Sequence, residues 1–279
     1  TDDRVVSRRR WRARGAERRG RRLMWRRLRI SILLVILVFV ALNTYFDRVY
    51  STDWNIPLRI AAYPIDADGS AVTARYIRQL PADAFQGVET FFEQEAQEYG
   101  LHMERPIRLT LAPPLSQSPP AIAPRAGRLA ILVWSLKMRY WTWRVAVPPG
   151  PAPDIKLFIL YYDPAISPEV PHSVGMQKGL FGVVHIFADS DLRGSGDMVI
   201  AHELLHTLGA TDKYDLSTNQ PAHPDGFAEP DREPLYPQSF AELMGGRIPV
   251  SNTEATQPES LQQVIVGAKT AGEIGWRKR

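Results

Sequence analysis

Cysteine is absent from all 279 residues. Without it no disulfide can hold the chain together, no thiol can act as a nucleophile and no cysteine-ligated zinc site can form. Stability must then come from an apolar core or from bound metal. No internal repeat is present. With 19 glycines, 23 prolines and 44% hydrophobic residues, the composition excludes collagen-like, disulfide-scaffold and wholly disordered chains. At roughly 100–200 residues per domain, the length fits one good-sized domain with appendages or two small ones.

Acidic residues are scarce in one place. Residues 1–29 hold thirteen arginines against Asp2, Asp3 and Glu17, a net of +10, whereas the remaining residues carry 21 basic and 27 acidic groups, a net of −6. The overall +4 therefore describes neither part. A basic pI of 9.4 invites a nucleic-acid reading. The charge is confined to a tail that precedes an apolar run, so no nucleic-acid partner is expected.

Ile30 to Phe46 is uncharged over 17 residues. At 1.5 Å per residue it is about 25 Å long as a helix, near the short limit for a hydrocarbon core of about 30 Å, and Leu23 to Leu28 can extend it as the arginines snorkel. Tyr45, Tyr50 and Trp54 follow at the far side, where amphipathic rings favour the interface. The expected organisation is a basic cytoplasmic tail (1–29), a single transmembrane anchor in contact with membrane lipid (30–46), a linker (47–57) and an extracytoplasmic domain (58–279). The positive-inside rule sets this orientation. A cleaved signal peptide is the competing reading, although Ala41-Leu42-Asn43 makes a poor cleavage site.

Beyond the linker, β-rich segments are expected at Leu58–Tyr63, Ile107–Leu111, Leu129–Trp134 running on towards Trp143, Ile155–Tyr162 and Gly182–Ala188, with proline at many of their borders. Phe85, Val88, Phe92, Ala96 and Tyr99 recur at helical spacing between Pro81 and Gly100, which predicts an amphipathic helix over 82–100. A second helix is predicted over about 197–208 and a third over 260–274. The order β-α-β-β-β-β-α implies an α+β fold with a mixed sheet. Residues 216–239 are polar and proline-punctuated, without periodicity, and loops of that length are usually functional or disordered.

The chemistry concentrates in His202-Glu203-Leu-Leu-His206-Thr-Leu-Gly209-Ala-Thr-Asp212. Residues four apart share a helix face, so His202 and His206 can share one ion, while Glu203 lies about 100° round, beside the ion. Gly209 can end the helix with positive φ and reverse the chain. Asp212 can then return as a third ligand, which leaves a position for water. Such an ion acidifies its water, and Glu203 is placed to act as general base for amide hydrolysis. His223, in the long loop, is the rival third ligand. Asp215, Asn219 and Asp225 match no calcium-loop spacing. Tyr214 and Tyr236 are either oxyanion donors or packed rings, and His185 either supports its strand or lines a cleft. His102 and His172 carry no signal.

This run resembles the long zinc signature of the metzincin clan of metallopeptidases. It differs from most of them by aspartate at the third ligand, as in snapalysin-type peptidases, and Asp212-Lys-Tyr-Asp215 is similar to the corresponding segment of immune-inhibitor-A-type peptidases. The resemblance implies a five-stranded mixed sheet with an active-site helix, Zn2+ bound by His202, His206 and Asp212, and Glu203 as catalytic base. It also implies a methionine turn at Glu242-Leu-Met244-Gly-Gly, with Met244 as a hydrophobic floor, and extended substrate lying antiparallel along an edge strand at 182–188. The expected function is a membrane-anchored zinc metalloendopeptidase acting on a peptide or protein substrate. The alternatives are a zinc hydrolase of a non-peptide cell-envelope substrate and a non-catalytic membrane-anchored binding module.

Overall fold

The computed structural model describes residues 25–35, 38, 53–121, 127–148, 150–177 and 180–277. The chain divides into two compact units, Thr1–Phe46 and Asp47–Arg279. In the first, residues 25–35 are helical and exposed. Among the described residues no helix is long and apolar enough to cross a membrane. Most of the tail expected over 1–29 and most of the anchor expected over 30–46 lie outside the described residues.

The second unit is α+β, built on one five-stranded sheet. Its strands are β1 (Leu58–Asp66), β2 (Ile107–Leu111), β3 (Ile155–Tyr162), β4 (Val174–Met176) and β5 (Phe181–Phe187), in the order β2-β1-β3-β5-β4. All neighbours are parallel except β4, which runs antiparallel to β5 with Gly175 opposite Gly182. Side chains alternate across the sheet, and both faces are buried, which is why the central strands read as continuous apolar runs. On one face Leu58, Ile60, Ala62, Leu157, Ile159, Val184 and Ile186 pack with residues of α1 (Ala71–Gln79), α2 (Gln86–Glu98) and a long helix, α4 (Arg193–Leu208). On the other, Ala61, Tyr63, Ile65, Phe158, Leu160 and Val183 pack with Trp134, Met138 and Trp141 of α3 (Arg128–Val145). Phe92 and Tyr63 are fully buried, and an apolar side chain such as Phe92 contributes about 1.5–3 kcal/mol.

Several sequence expectations need correction. Leu129–Trp143 forms helix α3, not a strand. A short apolar run does not by itself separate strand from buried helix, and 18 residues free of proline and glycine favour the helix. The fifth strand is instead the three-residue β4, too short to register as a pattern. In consequence β5 is internal, and the sheet edge beside it is β4, not residues 182–188. The helix expected over 260–274 is a 3-10 turn (Leu261–Gln263), a short strand (Val264–Ile265) and a six-residue helix, α5 (Ala268–Glu273). Consecutive β-branched residues at 264–266 and then Gly267 break its continuity. Helix α1 also escapes the sequence reading; Ser70 caps it by accepting the Thr73 N–H at 3.0 Å.

Where α2 meets the C-terminal segment, Glu95 accepts the Val266 N–H at 2.6 Å and Tyr99 donates to the Val266 carbonyl at 2.6 Å. Burial pushes the Glu95 carboxyl up to about 7; Glu98 and Glu242 add to this, and the Val266 N–H opposes it. Between its ordinary value of 4.5 and about 7, the folded state holds a proton that the unfolded chain has released. Stability from this group is therefore full below about pH 4.5 and lost as pH rises through 7. Glu95→Gln keeps an acceptor for Val266 and removes the titration. The full-length variant should lose less stability than the parent between about pH 5 and 8, by on the order of 1–2 kcal/mol after allowance for partial exposure. Equal falls in unfolding midpoint for the two proteins would contradict this.

Candidate metal centre

α4 carries His202, Glu203 and His206. It ends at Gly209, whose φ of +104° is left-handed. The glycine N–H bonds back to the helix, and the Ala210 N–H caps the Leu205 carbonyl at 3.0 Å. An L side chain here would be strained, and a Cβ would also lie 2.3 Å from the Gln177 amide nitrogen. The reversal returns the chain along α4. Asp212 Oδ1 then stands 3.2 Å from His202 Nε2 and 3.1 Å from His206 Nε2. Ligand atoms of these three residues all lie within 4.8 Å of one another, so the group can hold a metal ion.

The rings are fixed from behind. His202 Nδ1 is 3.0 Å from the Leu243 carbonyl, and His206 Nδ1 is 2.9 Å from the Ala210 carbonyl. A carbonyl oxygen can only accept, so each Nδ1 carries a proton; each Nε2 then donates to Asp212 while it is protonated and offers its lone pair to a metal ion once that proton is lost. Such outer hydrogen bonds set tautomer and orientation in metal sites. The Ala210 bond depends directly on the Gly209 reversal. The Leu243 bond depends on the turn at 242–246, where the Gly245 and Gly246 N–H groups both reach the Glu242 carbonyl at 2.9 Å. Met244 is fully buried, and its carbonyl accepts the Lys213 N–H at 2.9 Å, which ties this turn to the segment carrying Asp212.

Charge follows geometry. Burial alone would raise the Asp212 carboxyl, but hydrogen bonds from His202 and His206, with their charge, hold it well below the usual carboxylate range. Burial disfavours the charged form of His206, and Asp212, the Ala210 carbonyl and Glu203 together more than reverse this, so its pKa is raised. Asp212 is therefore ionised and suited to a cation. Glu203 is buried and its pKa raised; the positive charge of His202 and His206 and the Gly175 N–H work against the burial. Its Oε2 is buried without a hydrogen-bond partner among the described residues. Gly175 has a steric role as well, because a Cβ there would lie 2.2 Å from the Glu203 carbonyl oxygen and 2.6 Å from the His206 Cβ. Only glycine lets β4 come this close to α4.

A cavity of about 290 Å³ opens beside His202 and Glu203, with His172, Ser173, His185 and Leu243 in its wall. His185 lies in that wall on a hydrogen bond to the Tyr162 hydroxyl at 2.9 Å, and burial lowers its pKa. His172 and Ser173 were not singled out from sequence; the short β4 that follows them gave no signal. Tyr214 is half-buried, and its pKa is raised chiefly by burial, with the negative charge of Asp212 and Glu203 adding to this. His223 lies outside the cluster: its Nε2 is 3.1 Å from the Pro230 carbonyl and its ring stands edge-on to Phe227. Tyr236 packs on the same Phe227. Asp215 is spent on its own turn, accepting the Ser217 and Thr218 N–H groups.

Comparison of the sequence with protein-family models and with curated proteins finds no match. The metal centre therefore rests on its own geometry.

Two variants separate the rival third ligands. Asp212→Ala should lose bound divalent metal on dialysis of the full-length protein, whereas His223→Ala should retain the parent stoichiometry, measured by elemental analysis. Full occupancy in Asp212→Ala, or loss in His223→Ala, would contradict the assignment.

Proposed function

We propose that the chain is a zinc metallopeptidase of metzincin-like type, hydrolysing peptide bonds with Glu203 as general base. The observation that carries this reading is the buried Glu203 carboxylate beside a two-histidine, one-carboxylate cluster, with an oxygen that has no hydrogen-bond partner among the described residues. A purely structural ion has no use for such a group. Nitrogen and oxygen ligands about 2.0–2.2 Å from a tetrahedral zinc lie about 3.3 Å apart. The observed 3.1 and 3.2 Å fit that edge length. Zinc held there would polarise a carbonyl as a Lewis acid and lower the pKa of a water towards neutrality.

The protein residues supply the rest. Glu203 takes the proton from the attacking water and hands it to the departing amine nitrogen. Its burial, which raises its pKa, suits a group that must accept a proton and then release it. The Leu243 and Ala210 carbonyls hold the two imidazole rings in place. An extended peptide is expected to add to the outer edge of β4, the edge strand among the described residues, rather than to residues 182–188, since strand addition needs unpaired backbone groups. A substrate side chain can enter the cavity walled by His172, His185 and Leu243. In this reading residues 30–46 are the anchor and the peptidase domain faces away from the cytoplasm, as the arginine-rich flank favours.

Glu203→Gln should keep one zinc per chain yet lose casein hydrolysis by about 10²–10⁴-fold, the usual contribution of a positioned acid–base group. Undiminished cleavage by that variant would overturn the assignment of the base. Absence of any chelator-sensitive cleavage by the parent protein would overturn the peptidase reading.

A further inference from the structure

α3 buries only one side. At 100° per residue, Trp134, Met138, Trp141 and Val145 fall together and face the sheet. Leu129, Leu132, Val133, Leu136, Tyr140 and Trp143 fall in an arc of about 100° on the opposite side. That outer arc is open to solvent, with Leu129 77% exposed, Leu136 60% and Trp143 78%, and Val147 beyond the helix end extends it at 72%. A soluble helix normally turns polar residues outward. Here the outward side is an apolar stripe headed by an aromatic pair, Tyr140 and Trp143, whose ring centroids are 6.1 Å apart.

Cations border this stripe. Lys137 and Arg144 lie along one margin and Arg139 along the other, by the same helical spacing. No acidic residue occurs between Glu104 and Asp154, a stretch that carries seven basic residues. This contrasts with the net negative charge of residues 30–279 as a whole. An apolar and aromatic centre flanked on both sides by lysine and arginine is the pattern of a helix lying in the plane of a bilayer interface. Its apolar side chains enter the acyl boundary and its cations snorkel to the headgroups.

We propose that the outer face of α3 is a membrane-docking surface for an anionic lipid bilayer. The charge pattern selects this occupant. A second copy docked face to face would oppose cation to cation with no carboxylate from the helix to offset them, whereas an anionic leaflet supplies the complementary charge and an apolar layer beneath it. The surface is distinct from the metal centre, which is built on α4 and the opposite face of the sheet.

The cysteine-free sequence makes the test direct. Leu136→Cys and Leu216→Cys each give one labelling site in the full chain, the second as an exposed loop control. Each is labelled with a polarity-sensitive fluorophore and reconstituted into phosphatidylcholine vesicles with and without roughly one-third phosphatidylglycerol. The label at position 136 should shift to the blue and be quenched by spin-labelled lipid in the anionic vesicles, and the label at 216 should do neither. Adding Lys137→Gln and Arg144→Gln should lower the docked-to-undocked ratio about thirtyfold, at about 1 kcal/mol per cation removed. An unchanged, water-exposed label at 136 in anionic vesicles overturns the proposal. So does a label already shielded in vesicle-free solution, which would mean that protein covers the face.

Discussion

The candidate metal centre depends first on the reversal at Gly209. A helix can present two histidines from successive turns unaided, but it cannot supply a third ligand to the same point, because its own axis carries later residues away. The left-handed glycine ends α4 at once and turns the chain back. Asp212 then meets both imidazoles, and the Ala210 carbonyl, exposed by the same reversal, orients His206. One backbone conformation thus places a ligand and sets the tautomer of another.

The reversal would not hold its position without the C-terminal segment. Lys213 Nζ is buried against Glu273 Oε2 at 2.8 Å and also donates to the Thr211 carbonyl, while the Thr211 N–H and hydroxyl both reach Glu273. Glu242, fully buried, accepts from the Thr270 hydroxyl, the Gly267 N–H and the Gly245 N–H. Burial raises its pKa, and these donors with Lys213 oppose that rise. Two carboxylates and one lysine therefore fasten the Asp212 segment and the 242–246 turn to a helix of only six residues. Breaking one member of such a buried set leaves a charge without its partner, which costs far more than an exposed ion pair contributes. These groups support the site from outside its ligands, and none has a spacing rule that sequence periodicity can detect.

The local part of the site was legible in the sequence because its logic is local. His202 and His206 are four residues apart on one helix, and Gly209 is three residues further on, so helix geometry and glycine conformation suffice to bring Asp212 near them. What escaped was non-local. The approach of β4, which gives Glu203 its Gly175 N–H and requires glycine at that point, rests on a three-residue strand with no readable pattern. The anchoring of His202 comes from Leu243, 41 residues away. α3 was misread for a related reason: with apolar residues on two opposite sides, it lacks the single stripe that marks an amphipathic helix, and its β-favouring Ile131, Val133 and Trp134 resemble a buried strand. The second apolar side, which obscured its period, is the same feature that suits it to a membrane surface.

His202, His206 and Asp212 are proposed to bind one metal ion together, in an arrangement already set by the two Nδ1–carbonyl bonds. X-ray absorption at the zinc edge on the full-length protein loaded with one equivalent of zinc tests this most directly. The predicted spectrum has a shell of nitrogen and oxygen at about 2.0–2.1 Å with the outer-ring scattering of two imidazoles. A spectrum requiring three imidazoles, or a solvated ion with none, would contradict it.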